Sequence, residues 1–243
     1  MAPRRVLAIR HGESEWNVLR RTYTTEEEQY CDAMYVPDCS ITAKGIEQSR
    51  SAGSVLSEKL GHEDEKNVVV LVSPLRRALQ TALHVLEACP QKPPGKPLVH
   101  PDCAEVMADA CDIGSTVEAL DKEFPDKFDF TMLKTRPQFW WAYHRSLEDT
   151  WKRMRIEDDE GIETPASALK RFEEFQEYVN TNVALDQKVV VIVCHSETIW
   201  YFTSQVISGT RYGVWTDNGE VVDCTHAFIG VGEPIEPKLL TLH

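Results

Sequence analysis

Three short apolar runs constrain the fold of this chain more than any other feature of its sequence. They span residues 6–9, 68–72 and 189–194 and are rich in valine and isoleucine. Each is too short for a helix and lacks alternating polar residues, which is typical of strands buried on both faces of a parallel sheet. Helical patterns lie between them, and Thr42 and Thr164-Pro165 mark the starts of two. The sequence therefore predicts a three-layer α/β/α fold around a mostly parallel sheet.

Each run ends at residues whose side chains can bind ligands or take part in catalysis. They are followed or closed by Arg10-His11-Gly12, Ser73-Pro74-Leu75-Arg76-Arg77 and Cys194-His195-Ser196. Because parallel strands end at one edge of an open α/β sheet, where ligands bind, we expect a rim with two histidines and at least two arginines. We also expect Ser73 to cap the next helix, with Pro74 at its first position. Arginines held in the first turn, against the helix dipole, indicate a nearby anion.

The rest of the sheet is predicted from weaker patterns. A further strand is expected over 98–103 and an edge strand over 221–231. Residues 18–38 contain a run of three glutamates and little periodicity. They form either a loop or partly helical flap over the rim, or a solvated surface excursion.

The 243-residue length favours one domain over the whole chain, 1–243. Within it, residues of about 106–163 have a different composition and are predicted to be a helical cap insertion. Its segment 134–155 is basic and aromatic. These side chains either line the pocket wall or pack inward with their basic groups paired to the acidic body, and inward packing is the commoner arrangement.

The net charge indicates which classes of partner the protein can bind, and the cysteine content indicates its redox compartment. A formal charge of −13 opposes binding to nucleic acid or to an anionic membrane, and instead favours a small anion in a cationic pocket. Seven cysteines, with no C-x-x-C pair, fit a reduced compartment better than a disulfide framework. The basic residues 1–5 precede only four apolar ones, which does not match a signal peptide. No stretch is long enough to span a bilayer, and we expect a cytoplasmic protein.

Two kinds of site fit two histidines beside two arginines. One is a metal site with His11, His195 and a carboxylate as ligands, although the arginines would repel the cation. The other transfers a phosphoryl group, because arginine forks match phosphate oxygens and neutral imidazole is a competent nucleophile. A leaving alkoxide would then need a carboxylic acid with a raised pKa. Glu105, just past a predicted strand, is the best-placed candidate, unless it is a solvated turn residue.

The order and spacing of four segments resemble a known family from residue 5 to about residue 205. The segments are Arg10-His11-Gly12-Glu13-Ser14-x-x-Asn17, the residues Asp38, Thr42, Gly45 and Gln48, Ser73-Pro74-x-x-Arg77-Ala78-x-x-Thr81-Ala82, and Cys194-His195-Ser196. Together they are similar to the histidine phosphatase superfamily, the phosphoglycerate mutase-like proteins. That resemblance implies the α/β/α fold already predicted from the strands.

The resemblance also implies roles for particular residues. His11 would be the nucleophile that becomes phosphohistidine, and Glu105 would act first as an acid and then as a base. The phosphoryl group would be held by Arg10, Asn17, Arg77, His195 and the backbone amide of Ser196. Arg76 does not match the family arginine and is expected outside the pocket. Neither a metal nor a cofactor is expected.

Three functions remain open, and we predict a phosphatase acting on a small phosphorylated metabolite. The segment 13–17 is similar to the mutase form of the motif, but the mutases' Phe-x-Gly-Trp segment is replaced here by the longer 18–38. A phosphatase needs only water at the phosphohistidine, whereas a mutase must protect it. The alternatives are a cofactor-dependent phosphoglycerate mutase and a non-catalytic module that binds phosphorylated ligands. The complete set of Arg10, His11, Arg77, Glu105 and His195 weighs against the binding module, because binding alone needs no proton donor.

Overall fold

The molecule is built around a five-stranded sheet. The structure, a computed structural model, describes residues 5–22, 36–136, 138, 140–141, 163–183, 187–207 and 210–229. The strands are β1 (Arg5–Arg10), β2 (Val68–Val72), β3 (Leu98–Val99), β4 (Val189–Cys194), β5 (Gln205–Ile207), β6 (Thr210–Tyr212) and β7 (Val221–Asp223). The main sheet has the order β3-β2-β4-β1-β7, and β5 and β6 form a separate antiparallel pair.

The main sheet is parallel except at one edge. Strands β1, β2, β3 and β4 are parallel, and β7 runs antiparallel beside β1. The register pairs Arg10 with Cys194 and Val72 with Val193, so the three apolar runs end side by side. This confirms the predicted mostly parallel sheet.

Helices cover both faces of the sheet. They are α1 (Glu15–Arg20), α2 (Ala43–Leu60), α3 (Arg76–Ala88), α4 (Val117–Glu123), α5 (Thr131–Lys134), α6 (Pro165–Thr181), α7 (Ser196–Thr203) and α8 (Thr225–Ile229). Alternate side chains of β1 and β4 enter two separate cores: one contains α2 to α5, and the other contains α6 to α8. Residues on a strand alternate between its faces, so each apolar run serves both cores. The result is the predicted three-layer arrangement.

The turn after β1 is held tightly against the start of α2. Thr42 caps this helix as predicted, because its hydroxyl accepts a hydrogen bond from the Gly45 amide at 3.1 Å. A Cβ on Gly12 would lie 2.3 Å from the Gly45 carbonyl oxygen. Only glycine at position 12 therefore allows the backbone after β1 to approach this close.

Two predicted strands are shorter than expected. The strand predicted over 98–103 ends at Val99, and Pro101–Cys103 forms a 3-10 turn. Proline has no N–H to donate to a ladder, which explains the early end. The edge strand predicted over 221–231 is at the edge, but it ends at Asp223. The Asp223 carboxylate accepts a hydrogen bond from the amide of Thr225, the first residue of α8, and residues 230–231 lie outside the described ones.

The other differences between the predicted and the observed elements are at the starts of helices. The predicted Ser73 cap is wrong: Leu75 is the N-cap of α3, without a side-chain hydrogen bond, and the helix begins at Arg76. Helix α1 was not predicted, and it includes the first residues of the segment 18–38. Its N-cap is Ser14, which forms a capping box with Asn17. The flap predicted over 18–38 lies mostly outside the described residues.

The described part of the predicted cap packs inward. Trp140 and Trp141 are buried and meet edge to face, with ring centroids 5.3 Å apart. The Arg136 guanidinium pairs with both carboxylate oxygens of Asp102, at 2.7 and 2.9 Å. Residues 142–162 lie outside the described residues, so the cap as a unit and the single domain stay predictions. None of the helices that the structure describes could cross a membrane.

Candidate active site

The ends of β1, β2 and β4 bring the predicted rim together. The His11 amide donates to the Cys194 carbonyl oxygen at 2.9 Å, and the Ser73 amide donates to the Val193 carbonyl oxygen at 2.9 Å. The imidazole centroids of His11 and His195 are 5.2 Å apart. Both histidines therefore lie at the same edge of the sheet, as the strand endings predict.

His11 presents an unprotonated nitrogen. Its Nδ1 is 2.8 Å from the Gly12 carbonyl oxygen, which can only accept, so Nδ1 carries the proton and Nε2 keeps its lone pair. Burial lowers the pKa of His11 well below its usual value, and the charges of Arg77 and Arg10 lower it further. His11 is thus a neutral imidazole with Nε2 available to attack.

Arg77 is fixed by two buried hydrogen-bond acceptors. It lies in the first turn of α3 and is buried. Its guanidinium donates to the Cys111 carbonyl oxygen at 2.7 Å and to Asp112 Oδ1 at 2.8 Å. Asp112 Oδ2 accepts the amides of Ala108 and Asp109, which holds the carboxylate in place. The ligand atoms of Asp109, Cys111 and Asp112 lie within 4.8 Å of one another, but both carboxylate oxygens of Asp112 are engaged, and this residue supports the arginine.

Arg10 keeps one donor available. Its Nη1 donates to the Thr216 carbonyl oxygen at 2.5 Å. Its buried Nε has no hydrogen-bond partner among the described residues. An unpaired buried guanidinium N–H is costly, so this donor is suited to an anionic ligand.

Glu105 is partly buried, and its carboxyl group lies against the first residues of α7. Its Oε1 accepts from the Val106 amide at 3.1 Å and from the Thr198 amide at 3.2 Å, and its Oε2 accepts from the Glu197 amide at 3.4 Å. Burial raises the pKa of Glu105 to about 8, with the negative charges of Glu197 and Asp112 adding to the shift. These effects outweigh the amide hydrogen bonds, which favour the charged form. Glu105 is therefore protonated at neutral pH.

A buried ion pair holds the backbone that carries Glu105. The Arg171 guanidinium pairs with Glu163 through two hydrogen bonds, of 2.8 and 2.5 Å. It also donates to the carbonyl oxygens of Asp102 and Ala104, both at 3.0 Å, and to that of Glu105 at 3.4 Å. Sequence reasoning missed this pair. Its signal was an arginine on the apolar face of the helix that follows Thr164-Pro165.

His195 lies between the end of β4 and the N-terminus of α7. Its side chain is fully buried, and its Nε2 lies 2.7 Å from the Ser73 hydroxyl oxygen. Its Nδ1 is buried without a hydrogen-bond partner in the part of the chain that the structure describes. Ser196 is the first residue of α7, where backbone N–H groups point out of the helix and favour anions.

Asn17 is linked to the rim through a residue that the sequence did not indicate. Asn218 Nδ2 donates to the His11 carbonyl oxygen and to Asn17 Oδ1, both at 3.1 Å. Asn17 Oδ1 also accepts from the Ser14 amide, so its oxygen is occupied and its side-chain NH2 is the group left to donate. Asn218-Gly219 reads as an ordinary turn, and Gly219 has a positive φ of 77°. Nothing in that pattern signals a place at the rim.

Arg76 lies away from these groups, as expected. Its Nε pairs with the Glu123 carboxylate at 2.9 and 3.0 Å, and its terminal nitrogens donate to the Asp38 carbonyl and the Ser115 hydroxyl. The structure thus gathers Arg10, His11, Arg77, Glu105 and His195 at one end of the sheet. A neutral imidazole, two arginines and a protonated carboxyl group are the parts needed for phosphoryl transfer with a proton donor.

Fold and site together suit an α/β protein that binds and transfers a phosphoryl group. A family model of the histidine phosphatase superfamily (branch 1) matches residues 6–156, more than half of the chain, and the chain belongs to that superfamily. The fold and the family support an enzyme of the phosphatase or mutase type. No curated protein sequence matches the chain.

Several solved structures are similar to this chain at low identity. An ecdysone phosphate phosphatase from Bombix mori, in complex with tungstate, has a TM-score of 0.54 at 16% identity, and the match covers 98% of this chain and 95% of that one. A mycobacterial glucosyl-3-phosphoglycerate phosphatase has a TM-score of 0.47 at 19% identity over 90% of both chains. A phosphoglycerate mutase from Thermus thermophilus has a TM-score of 0.44 at 17% identity, over 90% of this chain and 91% of that one.

Proposed function

We propose that this protein is a phosphatase that hydrolyses a small phosphomonoester through a phosphohistidine on His11. The observation that carries the proposal is one arrangement: an unprotonated His11 Nε2 beside two arginines, in a pocket that also keeps Glu105 protonated. Binding alone would need the arginines but no proton donor. The acid therefore favours catalysis over a module that only binds phosphorylated ligands.

The first step transfers the phosphoryl group to the enzyme. Arg10, Arg77 and the Ser196 amide bind its oxygens, with the Asn17 side chain beside them. His11 Nε2 attacks phosphorus in line with the ester oxygen, so the N–P bond forms as the O–P bond breaks. Glu105 gives its proton to the leaving oxygen and becomes a carboxylate.

The second step returns the enzyme to its starting state. The Glu105 carboxylate takes a proton from water as the water oxygen attacks phosphorus. The N–P bond breaks, inorganic phosphate leaves, and Glu105 is protonated again. His11 begins and ends as the neutral imidazole with the proton on Nδ1. The cycle balances without a metal or a redox partner.

The mutase alternative rests on the sequence of residues 13–17. In the structure, two of these residues stabilise the local fold. The buried Glu13 carboxylate pairs with Arg21 at 2.6 Å and with Lys44 at 3.2 Å. Trp16 is buried in a small apolar cluster. Such packing would be useful in either enzyme, so the likeness to mutases carries little weight. The charge of −13 further supports a small phosphorylated metabolite as substrate, since it repels polyanions.

Phosphate release separates the three functions. Purified protein should release phosphate from p-nitrophenyl phosphate, and activity should vanish in His11→Ala but persist in His84→Ala, which removes a histidine bound to Glu87 away from the rim. An acid-labile radiolabel should appear on the wild type during turnover. Interconversion of phosphoglycerates with little phosphate release would favour the mutase, and tight binding without turnover would favour the module. Activity that persists in a chelator would exclude a required metal.

A further inference from the structure

The hydroxyl group of Ser73 lies beside the second imidazole. Ser73 is fully buried between β2 and α3, and its Oγ is 2.7 Å from His195 Nε2. The sequence predicted a helix cap for this serine, but its contact with the Leu75 amide is long, at 3.4 Å, and Leu75 itself is the N-cap. The short hydrogen bond to His195 is therefore the stronger contact of this hydroxyl.

A neutral His195 has one proton to place on two nitrogens. Burial lowers the pKa of His195 well below its usual value, and the charges of Arg77, His11 and Arg10 lower it further, so the ring is neutral. If Nε2 carried the proton, it would donate to Ser73, and the buried Nδ1 would keep a lone pair with no donor among the described residues. A lone pair there would repel the oxygens of a phosphoryl group.

The opposite assignment satisfies both nitrogens. A serine hydroxyl can donate one hydrogen bond and accept two. The Leu75 amide takes one lone pair of Ser73 Oγ, and the hydroxyl proton can then point at Nε2. The single ring proton then lies on Nδ1, which is the buried ring nitrogen without a partner among the described residues.

We propose that Ser73 is a positioning residue, which donates its hydroxyl proton to His195 Nε2 and so holds His195 as the Nδ1–H tautomer, ready to donate to a phosphoryl oxygen. This rests on the proposed function only for the identity of the ligand. Hydrogen-bond partners that select a histidine tautomer control the chemistry of the other nitrogen.

Three variants test this role. Ser73→Ala should lower kcat by on the order of 10- to 100-fold with a smaller change in KM, because the lost donor matters most in the transition state. Ser73→Thr keeps a hydroxyl and should recover part of the loss. Ser49→Ala is a matched control, since Ser49 is also a fully buried serine, and its hydroxyl donates to the Gly45 carbonyl oxygen of its own helix. Its kcat should stay at the wild-type level.

The tautomer itself can be observed by 15N NMR of the imidazole nitrogens. The His195 signals are assigned by their loss in His195→Gln. The wild type should show Nδ1 protonated and Nε2 unprotonated, and added inorganic phosphate should shift the Nδ1–H signal. Ser73→Ala should show a mixture of tautomers or the Nε2–H form, whereas Ser49→Ala should match the wild type.

The two proposals fail in different ways. A wild-type spectrum with the proton on Nε2 overturns the role of Ser73, whether or not the enzyme is active and whether or not Ser73→Ala folds. An unchanged kcat in a folded Ser73→Ala overturns it as well. A wild type that shows Nδ1–H but releases no phosphate from any ester would refute the phosphatase and leave the tautomer assignment standing.

Discussion

Replacing Glu105 by glutamine should slow the hydrolysis of substrates with poor leaving groups more than that of substrates with good ones. With a pKa of about 8, roughly nine-tenths of Glu105 is protonated at pH 7. At its usual pKa of 4.5 only roughly 0.3% would be, so the raised pKa supplies about 300 times more of the acid form. Glutamine has the same shape but no proton to give. Hydrolysis of an alkyl phosphate should therefore slow by about 10²- to 10⁴-fold, the usual range for a lost general acid.

The aryl ester is the internal control for this variant. A p-nitrophenolate ion leaves without a proton, so p-nitrophenyl phosphate should lose far less activity in Glu105→Gln than an alkyl phosphate does. In the wild type, kcat/KM for the alkyl phosphate should fall as pH rises through about 8, because the acid form is lost there. Equal slowing of both esters, or an alkyl-phosphate profile with no alkaline fall, would refute the assignment of Glu105 as the acid.

Stability gives an independent check of the same pKa. The folded state holds the Glu105 proton to about pH 8, while the unfolded chain releases it near 4.5. Below 4.5 this contribution to stability is fully present, and it is lost as pH rises toward 8. Glutamine has no such dependence. The free energy of unfolding of wild type relative to Glu105→Gln, from urea titrations at pH 5 and pH 9, should therefore decline with pH, and a constant difference would contradict the raised pKa.

Three further substitutions test the surroundings of the rim. Glu197→Gln removes a negative charge that raises the pKa of Glu105, so the alkaline fall of kcat/KM should move to lower pH; a profile that stays in place would exclude this coupling. Arg171→Met leaves a buried carboxylate unpaired and should lower the free energy of unfolding by about 3–5 kcal/mol in urea titrations. The folded fraction of Arg171→Met should lose more activity on alkyl than on aryl phosphates. Equal loss on both would show that Arg171 is not needed to position Glu105. Gly12→Ala puts a Cβ 2.3 Å from a backbone oxygen of α2 and should destabilise the protein by about 1–3 kcal/mol, measured by thermal unfolding, with wild-type stability as the contrary result.

The strand endings were predictable because local pattern and global fold agree there. A run such as 189–194 is typical of a strand buried on both faces of a covered parallel sheet, and parallel strands have their carboxyl ends at the same edge. His11 and His195 follow their strands at once, so their shared edge needed no long-range information. The structure confirms this, because β1 and β4, the strands that His11 and His195 follow, pair directly in parallel.

The supporting residues were not predictable, because their partners are remote in sequence. The hydrogen bond from Asn218 to the His11 carbonyl oxygen joins residues 207 positions apart, and the Ser73 to His195 contact joins residues 122 apart. Ser73 also illustrates a local ambiguity, since the same hydroxyl pattern before a proline fits a helix cap. Pro101 could have been recognised as a strand terminator, and the predicted strand over 98–103 ignored it.

The reversed direction of β7 decides which end of that segment approaches the rim. A parallel strand would bring its carboxyl end there, but β7 brings the residues before it, and Thr216 and Asn218 anchor Arg10 and His11 from that side. Residues 216 and 218 thus complete a rim whose first segment, Arg10-His11-Gly12, lies near the other end of the chain. A protein shortened before this return would keep its nucleophile and lose the backbone that aims the neighbouring guanidinium.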